Sequence, residues 1–424
     1  MKRRCVTGLE YSMLALIAAR PSLDWFTDWA AGPMRFNPAA AASLLLIAGA
    51  GLGLTLQPRE NRNWLISHPM IRVLGIWLLL LLPWALIAPW LNGPPRSAAL
   101  REWIRLVSIL PVFGLALGLG RQNRASLVLH ALLISLIVPA LTGIYQLIFQ
   151  EGSIVQGVHR IRGTFVHPNP FSFYLVLMAG LAYGKLREAD RRAGWMILLL
   201  LIISLLIATF SFTGAGMFGV AVLVCALGES PRLRRIAIPA LLVFALLFVL
   251  TPAGQKRLAT VTQWDSLDEI ERTGKETSSM VWRLLNWRFI LRTWSKSPWF
   301  GYGLQSAPTV NPNRVDHGQG PGQDPHNDYL RFLLDTGLIG FALFLAWLDF
   351  TGRTLWRAAR STVSPPARRL AWTALALYAA WLAGSLNDNL ITATAYQYCL
   401  WAVFGAALGG AAAVQNGGGT ENVS

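Results

Sequence analysis

The sequence predicts an all-α, polytopic membrane protein of about twelve transmembrane helices, with one large helical loop on the outer side. Three observations predict it. Hydrophobic residues make up 54% of the 424 positions and charged residues only 14%, where a soluble domain carries about a quarter charged. Such a chain has too few polar side chains to clothe a surface in water. The apolar residues fall in many runs of spanning length rather than in one anchor. Lysines and arginines recur in alternate short loops, so the net charge of +16 reads as membrane orientation rather than nucleic-acid binding.

The runs, in order, are 5–20, 37–57, 70–91, 100–120, 125–149, 166–184, 194–210, 214–228, 236–252, 327–349, 369–387 and 393–413. The first follows Lys2, Arg3 and Arg4 like a secretory signal, but no small-x-small cleavage site follows it. Arg20-Pro21-Ser22-Leu23-Asp24 reads as a loop, so the run stands as a span. The stretch 194–228 is too long for one helix and breaks at Ser211-Phe212-Thr213-Gly214. With the N-terminus cytoplasmic, the inner loops collect Arg59, Arg62, Arg121, Arg124, Lys185, Arg187, Arg232, Arg234, Arg353 and Arg357, and both termini lie inside. Residues 1–252 then hold nine helices, 253–326 form a loop domain, 327–413 hold three more helices, and 414–424, with Gly417-Gly418-Gly419, form a disordered cytoplasmic tail. In a Gram-negative inner membrane, loops 150–166 and 253–326 face the periplasm. Cys5, Cys225 and Cys399 sit in apolar stretches without paired spacing, so neither a disulfide framework nor a metal site is expected.

The outer loops hold four of the six histidines, His159, His167, His317 and His326, and arginines that orientation does not explain. Arg160 and Arg162 suit a phosphate, because a guanidinium fork matches its oxygens. Snorkelling onto lipid headgroups is the competing reading. Segment 278–297 has helical period and places Arg283, Trp287, Ile290 and Trp294 on one face. A guanidinium among those apolar side chains needs an anionic ligand, an internal acid or an aromatic face to offset desolvation. Arg288, Arg292 and Lys296 form a second stripe, most simply a surface on anionic headgroups. His326 and Asn327 stand just before the helical pattern of Leu330, Leu333, Leu334 and Leu338, where a helix N-terminus favours a bound anion. A plain capping role is the alternative. Asp388, between Asn387 and Asn389, either orients a sugar hydroxyl or the histidine, or is a solvated loop acid. No cofactor is implied. Gly301-Tyr302-Gly303 lacks the strand before and the Gly-Lys-Ser/Thr after that a phosphate loop requires, and no clustered His, Cys or carboxylate set suits a metal.

Taken in order, Arg160-x-Arg162-Gly163-Thr164-Phe165, Pro168-Asn169, Arg283-x-x-x-Trp287, Pro298-x-x-Gly301-x-Gly303 and His326-Asn327-x-x-Leu330 through Gly337-x-x-Gly340 resemble the O-antigen ligase and polymerase superfamily. Arg20-Pro21-Ser22-x-Asp24 is similar too. The resemblance implies a metal-independent glycosyltransferase of the inner membrane, acting in lipopolysaccharide biosynthesis at the periplasmic face. Its donor is a glycan on undecaprenyl diphosphate, and in the ligase branch its acceptor is a sugar hydroxyl of the lipid A–core oligosaccharide. It matches His326 to the histidine that takes the acceptor proton, and Arg283 and Arg162 to arginines that engage the diphosphate. Arg160, Arg288, Asn327 and Asp388 complete the expected substrate-binding set.

Ligation is the expected branch, with O-antigen polymerase or protein oligosaccharyltransferase as alternatives within the superfamily. A solute or lipid-linked glycan transporter is the alternative of another class. It calls for two comparable halves and functional polar residues at mid-membrane, whereas the unusual charges here lie at one interface.

Overall fold

A computed structural model describes residues 2–26, 37–155, 157–228, 231–250, 255, 258, 267–273, 279–313 and 324–417. His317, Arg35, much of the loop 253–326 and residues 418–424 of the tail lie outside the described residues. All twelve apolar runs are helical. They are α1 (Lys2–Leu23), α2 (Pro38–Leu56), α4 (Pro69–Ile87), the pair α5 (Arg96–Val107) and α6 (Ile109–Arg121), the pair α7 (Ala125–Ser135) and α8 (Ile137–Ile148), α9 (Pro168–Glu188), α10 (Ala193–Ala208), α11 (Phe212–Gly228), α12 (Pro231–Leu250), α16 (Asp328–Ser361), α17 (Pro365–Gly384) and α18 (Thr394–Gly417). A short surface helix, α3 (Arg59–Ser67), follows α2; α13 (Leu267–Thr273), α14 (Ser279–Trp294) and α15 (Ala307–Val310) lie in the long loop. Among the described residues, six helical segments are long and apolar enough to cross a membrane: 38–56, 69–91, 96–121, 125–148, 328–361 and 394–414. α10 and α11 are shorter apolar helices. The chain is a membrane protein by this measure.

Three features differ from the sequence reading. α1 runs through Pro21 to Leu23 instead of ending in a loop at Arg20, and Arg20 pairs with Asp24 across that last turn. Residues 153–160 form a small antiparallel hairpin, β1 (Ser153–Val155) and β2 (Val158–Arg160), with Ser153 opposite Arg160, so the fold is not helical throughout. Gly157, at φ 68°, makes its turn. α18 continues to Gly417, past the expected end of the span at 413.

The bundle is built around α18, whose spanning window is 78% buried, against 22% for α2 at the periphery. Glycines let α18 lie directly on α6. A Cβ on Gly405 would meet the Phe113 carbonyl at 2.5 Å, and one on Gly409 the Leu117 carbonyl at 2.2 Å. Close backbone approach at small residues is how membrane helices gain packing where hydrophobicity cannot drive it. Around this pair, Trp77, Trp347, Trp381 and Trp401 form a continuous aromatic core, with Trp77 and Trp347 stacked at 4.1 Å.

α16 is broken. Gly337 has φ 62° and ψ −167°, so Asp328–Thr336 is a short helix of its own. Residues 298–303 fill the break. The Leu338 N–H donates to the Pro298 carbonyl at 2.8 Å, and the Tyr302 and Gly303 N–H groups donate to the carbonyls of Leu334 and Asp335 at 3.1 and 2.7 Å. A Cβ on Gly337 would stand 2.3 Å from the Trp299 carbonyl carbon, so only glycine fits. The Pro298-x-x-Gly301-x-Gly303 motif therefore docks backbone into a helix break. Beside it, Arg331 donates to Glu102 at 2.9 Å and to Gln305 at 2.8 Å, and Asp335 accepts from Ser306. These buried bonds tie α5, the docked loop and α16 together at one end of the bundle.

Candidate active site

That end also receives the segments around 160–169, 283, 326 and 388. α14 holds the short segment Asp324-Pro325 that leads to His326. Asn286 donates to the Asp324 carbonyl at 2.8 Å and accepts from Asn311 and Asn313, while the Trp287 indole donates to the Pro325 carbonyl at 2.8 Å. On the other side, the Asn327 N–H donates to Asn389 Oδ1 at 3.1 Å, and Asn327 Nδ2 to the Leu386 carbonyl at 2.9 Å. Asn327 Oδ1 caps α16 by accepting from the Leu330 N–H at 3.0 Å. The Asn327 amide, expected as a substrate ligand, makes these positioning bonds. His326 itself is at φ 47°, a left-handed conformation that costs a side-chain-bearing residue about 1–2 kcal/mol. The bonds on both flanks hold it there.

The half-buried His326 ring lies edge-on to Trp282, centroids 5.6 Å apart, and its Nδ1 lies 3.2 Å from Asp388 Oδ1. An ionised carboxylate only accepts hydrogen bonds, so Nδ1 is the donor to Asp388, and in the neutral form of the ring the lone pair is on Nε2. Asp388 is not a solvated loop acid: it is buried. Its Oδ2 accepts from Asn169 Nδ2 at 2.6 Å and its Oδ1 from the Asn389 N–H at 2.9 Å. Burial pushes its carboxyl pKa up, but the hydrogen bond and charge of His326, the charge of Arg283 and the Asn389 N–H outweigh that and hold it well below the usual carboxylate range.

The two loop arginines separate. Arg160 is fully buried, with Nε donating to the Thr209 carbonyl at 2.6 Å and Nη2 to Asn169 Oδ1 at 2.8 Å. Two of its guanidinium nitrogens are thus held by protein partners. Arg162 is partly exposed and donates to the Val166 carbonyl at 3.1 Å, leaving its fork accessible. A line of hydrogen bonds thus runs Arg160–Asn169–Asp388–His326. His167 caps α9, accepting from the Asn169 N–H at 3.2 Å. Burial, then the charge of Arg160, lowers its pKa to about 3, so it is neutral.

Arg283, one turn before Trp287 on α14, donates from Nη1 to Ser279 Oγ at 2.8 Å. Its Nε is buried without a partner. Burial lowers its pKa, and the charge of Asp388 opposes that shift. A cation desolvated in this way, facing no carboxylate in direct contact among the described residues, is suited to an incoming anion. Arg288 is not: its guanidinium is taken up by Asp268 and Glu271, and Arg292 also binds Glu271. Two residues of the basic stripe, Arg288 and Arg292, thus pair with acids of α13, while Arg292 and Lys296 stay exposed.

Asn169 and His167 are the residues that the sequence reading left without a role. Pro168-Asn169 stood in the motif, but nothing in its spacing reveals that the amide bridges Arg160 to Asp388.

Residues 196–345 match the O-antigen ligase family model. This match, over 150 of the 424 residues, supports the likeness to the O-antigen ligase superfamily. It takes in Arg283, His326 and the helix break at Gly337, while Arg160, Arg162, Asn169 and Asp388 lie outside the matched segment. No curated protein sequence matches the chain. That family implies a glycosyltransferase-like enzyme of the ligase and polymerase type, and suggests lipid-linked glycan and lipid A–core substrates in general.

Proposed function

We propose that the protein is an O-antigen ligase of the bacterial inner membrane, with its site on the periplasmic face. It transfers a glycan from undecaprenyl diphosphate to a sugar hydroxyl of lipid A–core. The observation that carries this reading is the pairing, within an O-antigen ligase match, of a histidine whose Nδ1 faces Asp388 with a desolvated arginine that has no counter-ion in contact among the described residues. The acceptor oxygen attacks the anomeric carbon as the bond from that carbon to the diphosphate oxygen breaks, and the bonding pair leaves with the diphosphate. The acceptor proton passes to His326 Nε2, and Asp388 stabilises the imidazolium that forms. Arg283 and Arg162 stabilise the negative charge gathering on the leaving diphosphate, the role that fixed cations fill in place of a metal. Attack from the face opposite the leaving group inverts the anomeric configuration.

Lipopolysaccharide from a deletion strain, resolved on a gel, tests the proposal. Bare core, with full-length polymer accumulating on the lipid carrier and a ladder restored by the wild-type gene, is the expected outcome. Core bearing a single repeat unit would make the protein a polymerase. An unchanged ladder would remove it from O-antigen assembly.

A further inference from the structure

At the opposite end of the bundle, a cavity of about 250 Å³ opens between α6, α7, α9, α17 and α18. Lys185, sixteen residues along α9 from Asn169, lines it, so it lies roughly 24 Å from the site at a rise of about 1.5 Å per residue. Arg369 lines it too, and its Nε is buried without a hydrogen-bond partner. The first turn of α17 contributes Ser364, Pro366 and Ala367. Ser364 makes no side-chain cap there, and because Pro365 and Pro366 carry no N–H, the Ala367 N–H is the first-turn donor left beside the cavity. Glu188 is the acid on the wall, and it pairs with Lys185 at 3.1 Å. Two cations and a helix N-terminus thus face one carboxylate. The remaining wall is apolar, with Leu129, Leu181 and Leu370.

We propose that this cavity binds the phosphate headgroup of an anionic membrane phospholipid. The space is below the roughly 300–1,000 Å³ of a drug-sized site, so it takes a phosphate and its glycerol while the acyl chains lie outside along the apolar helix faces. Basic pockets between transmembrane helices recognise lipid headgroups through this combination of charge and adjoining hydrocarbon. A free phosphate shares the headgroup chemistry but gains nothing from the apolar wall.

The test is native mass spectrometry and thermal unfolding of the full-length protein in detergent with phosphatidylglycerol, phosphatidylcholine or inorganic phosphate added. Phosphatidylglycerol is expected to be retained one per chain and to raise the melting temperature, with phosphatidylcholine weaker. Arg369→Gln removes a charge-assisted contact and is expected to weaken phosphatidylglycerol retention about tenfold, with Lys185→Gln acting in the same direction. Either variant retaining phosphatidylglycerol as wild type does would overturn the proposal. So would protection by inorganic phosphate equal to that by phosphatidylglycerol, which would make this a soluble-anion site.

Discussion

Replacing Asp388 with asparagine keeps the shape of the side chain and reverses the hydrogen-bond logic around it. In the wild type, three donors converge on the carboxylate: His326 Nδ1 and the Asn389 N–H on Oδ1, and Asn169 Nδ2 on Oδ2. An amide has one acceptor oxygen, so its NH₂ must face a donor. If it faces Asn169, that side chain cannot flip to offer its oxygen, because Asn169 Oδ1 is already held by Arg160 Nη2 at 2.8 Å. If it faces His326, the ring must take the other tautomer, with Nε2 protonated and unable to accept. Leaving buried donors opposed costs about 1–3 kcal/mol in stability. The larger effect is on chemistry. Losing the correct tautomer and the carboxylate that stabilises the imidazolium removes general-base catalysis, about 10²–10⁴-fold. The assay is transfer of glycan from synthetic undecaprenyl diphosphate to purified lipid A–core by Asp388→Asn, at donor concentrations high enough to separate kcat from KM. A folded variant transferring within about threefold of the wild-type rate would refute the reasoning.

The two loop arginines should fail differently. Arg160→Ala leaves the Thr209 carbonyl and Asn169 Oδ1 without that donor, at about 1–3 kcal/mol each, and should lower the melting temperature along with activity. Arg162→Ala should leave the melting temperature unchanged and raise the donor KM by about tenfold, read from transfer kinetics. Stability should fall as pH drops from about 6.5 toward 3. His167 is held neutral in the folded chain with a pKa of about 3, so the unfolded chain binds the extra proton across that window and acid favours it. His167→Asn, which can still cap α9, should flatten that slope in a series of melting curves. Gly337→Ala places a methyl group 2.3 Å from the Trp299 carbonyl carbon at a left-handed φ. It should cost about 2 kcal/mol or more and expose the 298–303 segment to proteolysis.

Most of the helices were legible because bilayer thickness imposes run lengths that composition alone reveals. The split of 194–228 was legible too, although the break falls at 209–211, where Phe210 adopts φ 46°, and the predicted Phe212-Thr213-Gly214 already belongs to α11. Of the site, the face of α14 that carries Trp287 and Ile290 was readable from period: Ile290 is buried and the Trp287 indole holds Pro325. The role of Arg288 was not, because its partners Asp268 and Glu271 come from a separate short helix. The partners of Arg160 were hidden for a similar reason. Spacing shows an arginine in an outer loop, and only packing shows that its fork is spent on the Thr209 carbonyl and Asn169. Glu102 and Arg331 left a usable signal that went unread: opposite charges in separate apolar spans have to find each other, and they do at 2.9 Å.

The central claim is that His326 takes the acceptor proton while arginines hold the departing diphosphate. Its most direct test is the rate of glycan transfer by purified His326→Gln, reconstituted with lipid-linked donor and lipid A–core and followed across pH beside the wild type. The account predicts kcat down by about 10²-fold or more, near-normal donor binding, and loss of any limb in the wild-type pH profile that reports a base. A variant that transfers at the wild-type rate with the same pH profile would contradict it.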